Sequence, residues 1–189
     1  MDARLIYVVG ASGSGKDTLM GYAREKLAGD GGVCFAHRYI TRPAAAGGEN
    51  HVALSPDEFA ARRARGLFAM HWVSHGLLYG VGIEIDHWLA KDITVVLNGS
   101  RDYLAEARRR YPELLPVTIE VSTAVLRERL LARGREDAAA IERRLQRHEQ
   151  LRHPSFPGPA IRNDGTVAAA GDALLGLIRE HARSDRACA

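Results

Sequence analysis

Between Val9 and Leu19 the chain reads Gly10-Ala11-Ser12-Gly13-Ser14-Gly15-Lys16-Asp17-Thr18. A short apolar run, Leu5 to Val9, precedes it. Apolar residues at helical spacing follow, at Leu19, Met20, Ala23 and Leu27. A buried strand, a glycine-rich turn, a lysine and a helix, in that order, restrict the chain more than any other segment. Glycines let successive backbone N–H groups turn inward and approach a phosphate closely. The helix N-terminus adds partial positive charge, and Lys16 is placed to reach β- and γ-phosphates. The expected nucleotide contacts are therefore Gly10, Ala11, Ser12, Gly13, Ser14, Gly15, Lys16, Asp17 and Thr18, with ATP as the nucleotide.

One position departs from the usual phosphate loop. Ser or Thr normally follows the lysine and ligates Mg²⁺; here Asp17 does. Thr18 points about 100° away around the helix and is no simple substitute. A carboxylate suits this hard cation, so Asp17 is expected to meet Mg²⁺ directly or through water.

Strand and helix signals alternate along the rest of the chain. Strands are expected at 33–40, 93–97, 117–121 and 160–162. Residues 67–73 and 77–81 flank Ser74-His75-Gly76 as a hairpin. Ser55-Pro56-Asp57-Glu58 carries the cap, the proline and the glutamate of a helix start. Further helices are expected at 84–90, at 102–111, from a Ser122 cap to Arg133, from the break at 134–138 to about 151, and at 167–182. The alternation predicts an α/β protein: a P-loop NTPase three-layer fold with a mainly parallel central sheet. A single domain, 1–189, is expected, with an acceptor-binding lobe at about 33–82 and a lid at about 133–140.

With 46% hydrophobic and 26% charged residues, the 189-residue chain has the balance of a globular protein. No apolar run approaches the ~18 residues of a membrane helix, so no membrane association is expected. Cys34 and Cys188 make no disulfide framework, which favours the cytoplasm. The net charge is +3. Its densest clusters, Arg108-Arg109-Arg110 and Arg143-Arg144, sit on expected helices with acids nearby, so no nucleic-acid partner is expected. The oligomeric state stays open.

Beyond the phosphate loop, several segments resemble the guanylate kinase family over nearly the whole chain. Ile40-Thr41-Arg42-Pro43 is similar to its Thr-Thr-Arg segment. Gly66, Phe68, His75, Gly76, Tyr79 and Gly80 match its Gly-x-Phe…Tyr-Gly block. Arg129-Leu130, Arg133-Gly134-Arg135, Ile141 and Arg143-Arg144-Leu145 resemble its lid and the following helix, and Asn163-Asp164 the end of its last strand. The resemblance implies that Arg42 and Tyr79 hold an acceptor phosphate. It also implies that Arg133, with Arg135 as the weaker candidate, swings onto the transferring group, and that Arg144 or Arg143 completes the clamp. Asn163-Asp164 lines the adenine pocket or caps a helix. Glu49, beside Asn50 and His51, either holds sugar hydroxyls or belongs to a structural turn. Asn98 and Arg101, after the strand at 93–97, are expected to face the cleft.

The departures bear on the acceptor. Met70 stands where the family's guanine-reading glutamate would be, Val81 replaces its guanine-contacting hydroxyl, and Ala44-Ala45-Ala46 replaces its second phosphate arginine. A site that reads a base by hydrogen bonds loses discrimination when those partners become apolar. Gly-Lys-Asp, Ile-Thr-Arg-Pro-Ala, Gly-Gly-Glu-Asn-His, Leu-Tyr-Gly and Val-Leu-Asn-Gly-Ser-Arg, in that order, resemble the ribose 1,5-bisphosphate phosphokinase family more closely. That resemblance implies transfer of the γ-phosphoryl of ATP to the 1-phosphate of a sugar bisphosphate. The acceptor is already an anion, so no general base is required, and none of His37, His51, His71 or His75 is assigned one. The alternatives are a guanylate-type nucleoside monophosphate kinase and a non-catalytic guanylate kinase-like interaction module. Met70 and Val81 oppose the first; the intact phosphate loop opposes the second.

Overall fold

The structure is a computed structural model that describes residues 4–46, 49, 51–134, 137–150 and 158–183. Side chains 46, 133, 147, 150 and 183 also lie outside the description. The strands, in chain order, are β1 (Leu5–Gly10), β2 (Val33–Phe35), β3 (Arg38–Ile40), β4 (His51–Ala53), β5 (Phe68–Ser74), β6 (Leu77–Gly82), β7 (Thr94–Asn98), β8 (Leu115–Glu120) and β9 (Ala160–Arg162). The helices are α1 (Lys16–Lys26), α2 (Pro56–Ala64), α3 (Glu84–Leu89), α4 (Leu104–Arg110), α5 (Thr123–Arg133), α6 (Ala138–Gln150) and α7 (Val167–Arg183).

Leu5 to Val9 are all buried because β1 is covered on both faces. It is the middle strand of a parallel sheet with order β2-β7-β1-β8-β9. Alternate residues leave opposite faces of a strand. Leu5, Tyr7 and Val9 therefore join a cluster with Ile85 and Leu104, beneath α3 and α4. Ile6 and Val8 join one with Leu19, Ala23, Leu174 and Ile178, beneath α1 and α7. Helices on both faces of a parallel sheet make the expected three layers.

A second sheet has the order β4-β3-β6-β5. Its β5–β6 hairpin turns at His75 and Gly76, with φ 49° and 74°. Two consecutive positive φ values suit a tight turn whose twist matches the strands. Ser55 accepts from the Glu58 N–H at 3.1 Å and starts α2, whose Phe59 stacks on Phe68 at 4.5 Å between ring centroids.

The strand expected at 33–40 is two strands in different sheets. β2 pairs in parallel with β7, whereas β3 pairs with β4 and β6. The chain crosses between the sheets at Ala36-His37. After β3 the chain makes a 3₁₀ turn at Ala44–Ala46. The chain then enters β4 at His51.

This topology carries Gly10 and Asn98 to the carboxyl ends of neighbouring strands. Ligands enter α/β sheets at that edge.

Candidate active site

Gly15 carries φ 89° and caps α1. A side chain there would be strained, and its Cβ would meet Asn163 Nδ2 at 2.5 Å. Asn163, 3% exposed, donates from Nδ2 to the Ser14 carbonyl at 2.7 Å, so the end of β9 fixes the loop from behind. Ala11 packs with Leu126, Leu130, Ile141 and Leu145, which ties the loop to α5 and α6. Arg144 reaches from α6 to donate to Ser12 Oγ at 3.1 Å.

Lys16 turns back on its own loop, and Nζ donates to the carbonyls of Gly10 and Ala11 at 2.9 and 3.0 Å. Desolvation lowers its pKa from 10.5 to about 8, against the opposing pull of Asp17. Asp17 opens onto the cleft, yet the surrounding protein still raises its carboxyl pKa. Desolvation is the main cause and the negative charge of Glu49 the next, while Lys16, Arg38 and the Asn98 hydrogen bond oppose it. Asn98 donates from Nδ2 to Asp17 Oδ1 at 2.7 Å. Asn98 Oδ1 is buried and finds no hydrogen-bond partner among the described residues.

The wall beyond β7 is set by Tyr7. Its hydroxyl accepts from the Ser100 N–H at 2.9 Å and donates to the Ser100 carbonyl at 3.1 Å. Burial raises the Tyr7 pKa, so the group stays a neutral donor. This clamp holds the turn that presents Arg101 to the cleft.

The facing wall comes from the second sheet. Glu49 pairs with Arg38 through both carboxylate oxygens, and its Oε2 lies 3.8 Å from Arg42. Arg42 also contacts His51 Nδ1 at 3.2 Å, and His51 Nε2 holds the Arg42 carbonyl at 3.1 Å. The Arg38 guanidinium lies over the Tyr79 ring at 5.1 Å. Tyr79 in turn stacks on Trp72 at 5.6 Å with 5° between the planes. The two walls enclose a cleft of about 480 Å³.

Gly10, Ala11, Ser12, Gly13, Gly15, Lys16, Asp17 and Thr18 line this cleft, as do Arg42, Glu49, Tyr79, Asn98, Arg101 and Arg144. Ser14 is fully buried beneath the loop. The Arg133 side chain, Arg135 and Asn50 lie outside the described residues. Asn163 supports the loop, and Asp164 accepts from the Ser122 N–H at 2.7 Å. Met70 and Val81 pair across β5 and β6, and both are buried in the core with Tyr7. Sequence reasoning missed Arg38 and Trp72. The available signal was an arginine one residue from the apolar Tyr39-Ile40 stretch of a short strand.

Among the described residues no group of three or more His, Cys, Asp or Glu forms a metal cage. Mg²⁺ needs none, since it is commonly held by one or two carboxylates, waters and substrate phosphates. The Asp17 carboxylate beside the unpartnered Asn98 oxygen fits that donor set.

The fold and the phosphate loop are those of a P-loop protein with the guanylate kinase fold. The guanylate kinase of Anaplasma phagocytophilum superposes with a TM-score of 0.64 over 97% of this chain and 88% of that one, at 15% identity. No family model matches the chain. Curated sequences identify it more narrowly. The ribose 1,5-bisphosphate phosphokinase PhnN of Thiobacillus denitrificans is 58% identical over 188 residues, covering 100% of this chain and 99% of that protein. The enzyme of the same name from Desulfomicrobium baculatum is 55% identical over 184 residues, covering 97% and 98%. The chain belongs to the ribose 1,5-bisphosphate phosphokinase family.

Proposed function

We propose that this protein transfers the γ-phosphoryl group of ATP to the 1-phosphate of ribose 1,5-bisphosphate, giving 5-phosphoribosyl 1-diphosphate and ADP. The observation that carries the reading is one cleft with a phosphate loop on one wall and arginines gathered on a carboxylate on the other. Met70 and Val81 face the core, so at these positions the acceptor wall offers a base nothing to read.

Phosphoryl transfer asks a protein for positioning and charge neutralisation. The loop N–H groups hold the triphosphate, and Lys16 exchanges its two carbonyl partners for phosphate oxygens. Asp17 and Asn98 would hold Mg²⁺, directly or through water, and the bound ion would supply charge neutralisation at the triphosphate. Arg42 and Tyr79 hold the acceptor phosphate, Glu49 meets sugar hydroxyls, and Arg101 borders the reacting groups. Arg144 and Arg133 close from the lid side, which excludes water and limits ATP hydrolysis. No proton need leave the acceptor, because an ionised phosphate oxygen is already the nucleophile. The second sheet serves as the acceptor lobe and 133–140 as the lid of a single cytoplasmic domain.

The test is ADP release from Mg·ATP with ribose 1,5-bisphosphate or GMP, with the product read by phosphorus NMR. Turnover on the ribose compound and a new diphosphate signal support the reading. Turnover on GMP alone would replace it with the nucleoside monophosphate kinase.

A further inference from the structure

The bisphosphate acceptor carries two phosphates of the same chemistry, at opposite ends of one small sugar. A single cation on the acceptor wall would hold either end. An enzyme that extends one phosphate and spares the other needs a second fixed point. The wall carries a cation with no role so far, Arg38 of β3.

The Arg38 fork is spent on Glu49, with Nε bonded to Oε1 at 2.5 Å and the second nitrogen to Oε2. A carboxylate in that two-oxygen contact occupies the position that two oxygens of a phosphate would take on the same fork. Arg38 is also held rigidly. Its guanidinium rests on Tyr79, and Tyr79 is stacked on Trp72. Arg42 differs in its setting. It lies beyond the end of β3, shares Glu49 only at 3.8 Å, and keeps a buried Nε without a partner among the described residues. The wall therefore holds two guanidinium groups on one carboxylate, an anion-deficient arrangement matched to a ligand with two anionic ends.

We infer that Arg38 is a specificity-determining residue that grips the non-reacting 5-phosphate of the acceptor, with Glu49 holding its place until substrate arrives. Glu49, once displaced, is free to accept from the sugar hydroxyls. The two-point hold turns the 1-phosphate toward ATP. This inference rests on the function proposed above.

The test uses full-length Arg38→Met, which keeps an unbranched chain over Tyr79, and Arg38→Lys, which keeps the charge without the fork. Thermal melting and Mg·ATP binding establish that each variant is folded. Ribose 5-phosphate and ribose 1-phosphate are then compared as competitive inhibitors of bisphosphate turnover. Loss of one charge-assisted bidentate contact is worth roughly 10- to 100-fold in affinity. Arg38→Met is expected to weaken ribose 5-phosphate by about that factor and ribose 1-phosphate by less than about threefold, with Arg38→Lys between. Equal losses for both monophosphates would leave Arg38 a purely structural role, and a loss confined to ribose 1-phosphate would place it on the reacting phosphate; either would overturn the inference. An unchanged constant for ribose 5-phosphate would do the same. Wild-type protein inactive on the bisphosphate would remove the proposed function itself, and this inference with it.

Discussion

The side-chain amide of Asn98 donates to Asp17 Oδ1 at 2.7 Å, joining the end of β7 to the first turn of α1. The bond favours the ionised carboxylate, against desolvation and Glu49, which raise the Asp17 pKa. Because that pKa is raised, Asp17 is protonated at a higher pH than an ordinary carboxyl, and the cation hold proposed for it would be lost there. Activity should therefore fall on the acid side. Asn98→Ala should move that limb to higher pH and Asp17→Asn should abolish it. Asp17→Asn should also raise the Mg²⁺ needed for half-maximal rate by about tenfold or more. A pH–rate series at several Mg²⁺ concentrations reads all three; an acid limb unmoved in Asn98→Ala would refute the coupling.

Lys16 has a folded-state pKa of about 8, below its ordinary 10.5. Between those values the unfolded chain holds a proton that the folded chain lacks, so the stability of the ligand-free protein should rise with pH across this window. Phosphate contact restores the charge, so ATP binding at pH 8.5–9 should take up a proton. Calorimetry in two buffers of different ionisation enthalpy measures this uptake, and Lys16→Met should abolish it. The same variant should lose on the order of 10²–10³-fold in kcat.

Removing the Asn163 amide leaves the Ser14 carbonyl without its partner behind the loop. Asn163→Ala should cost about 1–3 kcal/mol. It should also weaken ATP binding if the loop holds the triphosphate as proposed. Denaturant unfolding and nucleotide titration check the two effects separately.

Restoring a glutamate at position 70 should not create a guanylate kinase. Met70 is 1% exposed and packs with Tyr7 and Val81 away from the cleft. Met70→Glu buries an unpartnered carboxyl, which costs several kcal/mol. The expected result is a large fall in Tm with no turnover on GMP.

Tyr7→Phe removes a hydroxyl that holds both the N–H and the carbonyl of Ser100. The turn bearing Arg101 should loosen, with a stability loss of about 1–2 kcal/mol. A lower kcat with little change in the KM for ATP, read by steady-state kinetics, would place the effect at the turn rather than at the phosphate loop.

Local chemistry was legible in the chain alone. The strand, glycine turn, lysine and helix of 5–27 are a short-range pattern, and the structure reproduces it. So are the Ser55 and Ser122 caps, which accept from Glu58 and Val125 N–H groups three residues on. The alternation that foretold a parallel sheet also belongs to this level, because backbone propensity and apolar period act over neighbouring residues. Tertiary structure alone decided the pairings that make the site work. Asn98 meets Asp17 across 81 residues, Arg144 meets Ser12 across 132 and Asn163 meets Ser14 across 149. Where closing the chain brings such groups together is invisible to spacing. The same holds for side-chain facing. A register irregularity between Phe68 and Met70 breaks the period of two, so Phe68, Ala69 and Met70 are all buried. Arg38 sits in a strand of three residues, too short to show which face it presents. Its pairing with Glu49 and stacking on Tyr79 exist only because β3 lies between β4 and β6 in the second sheet.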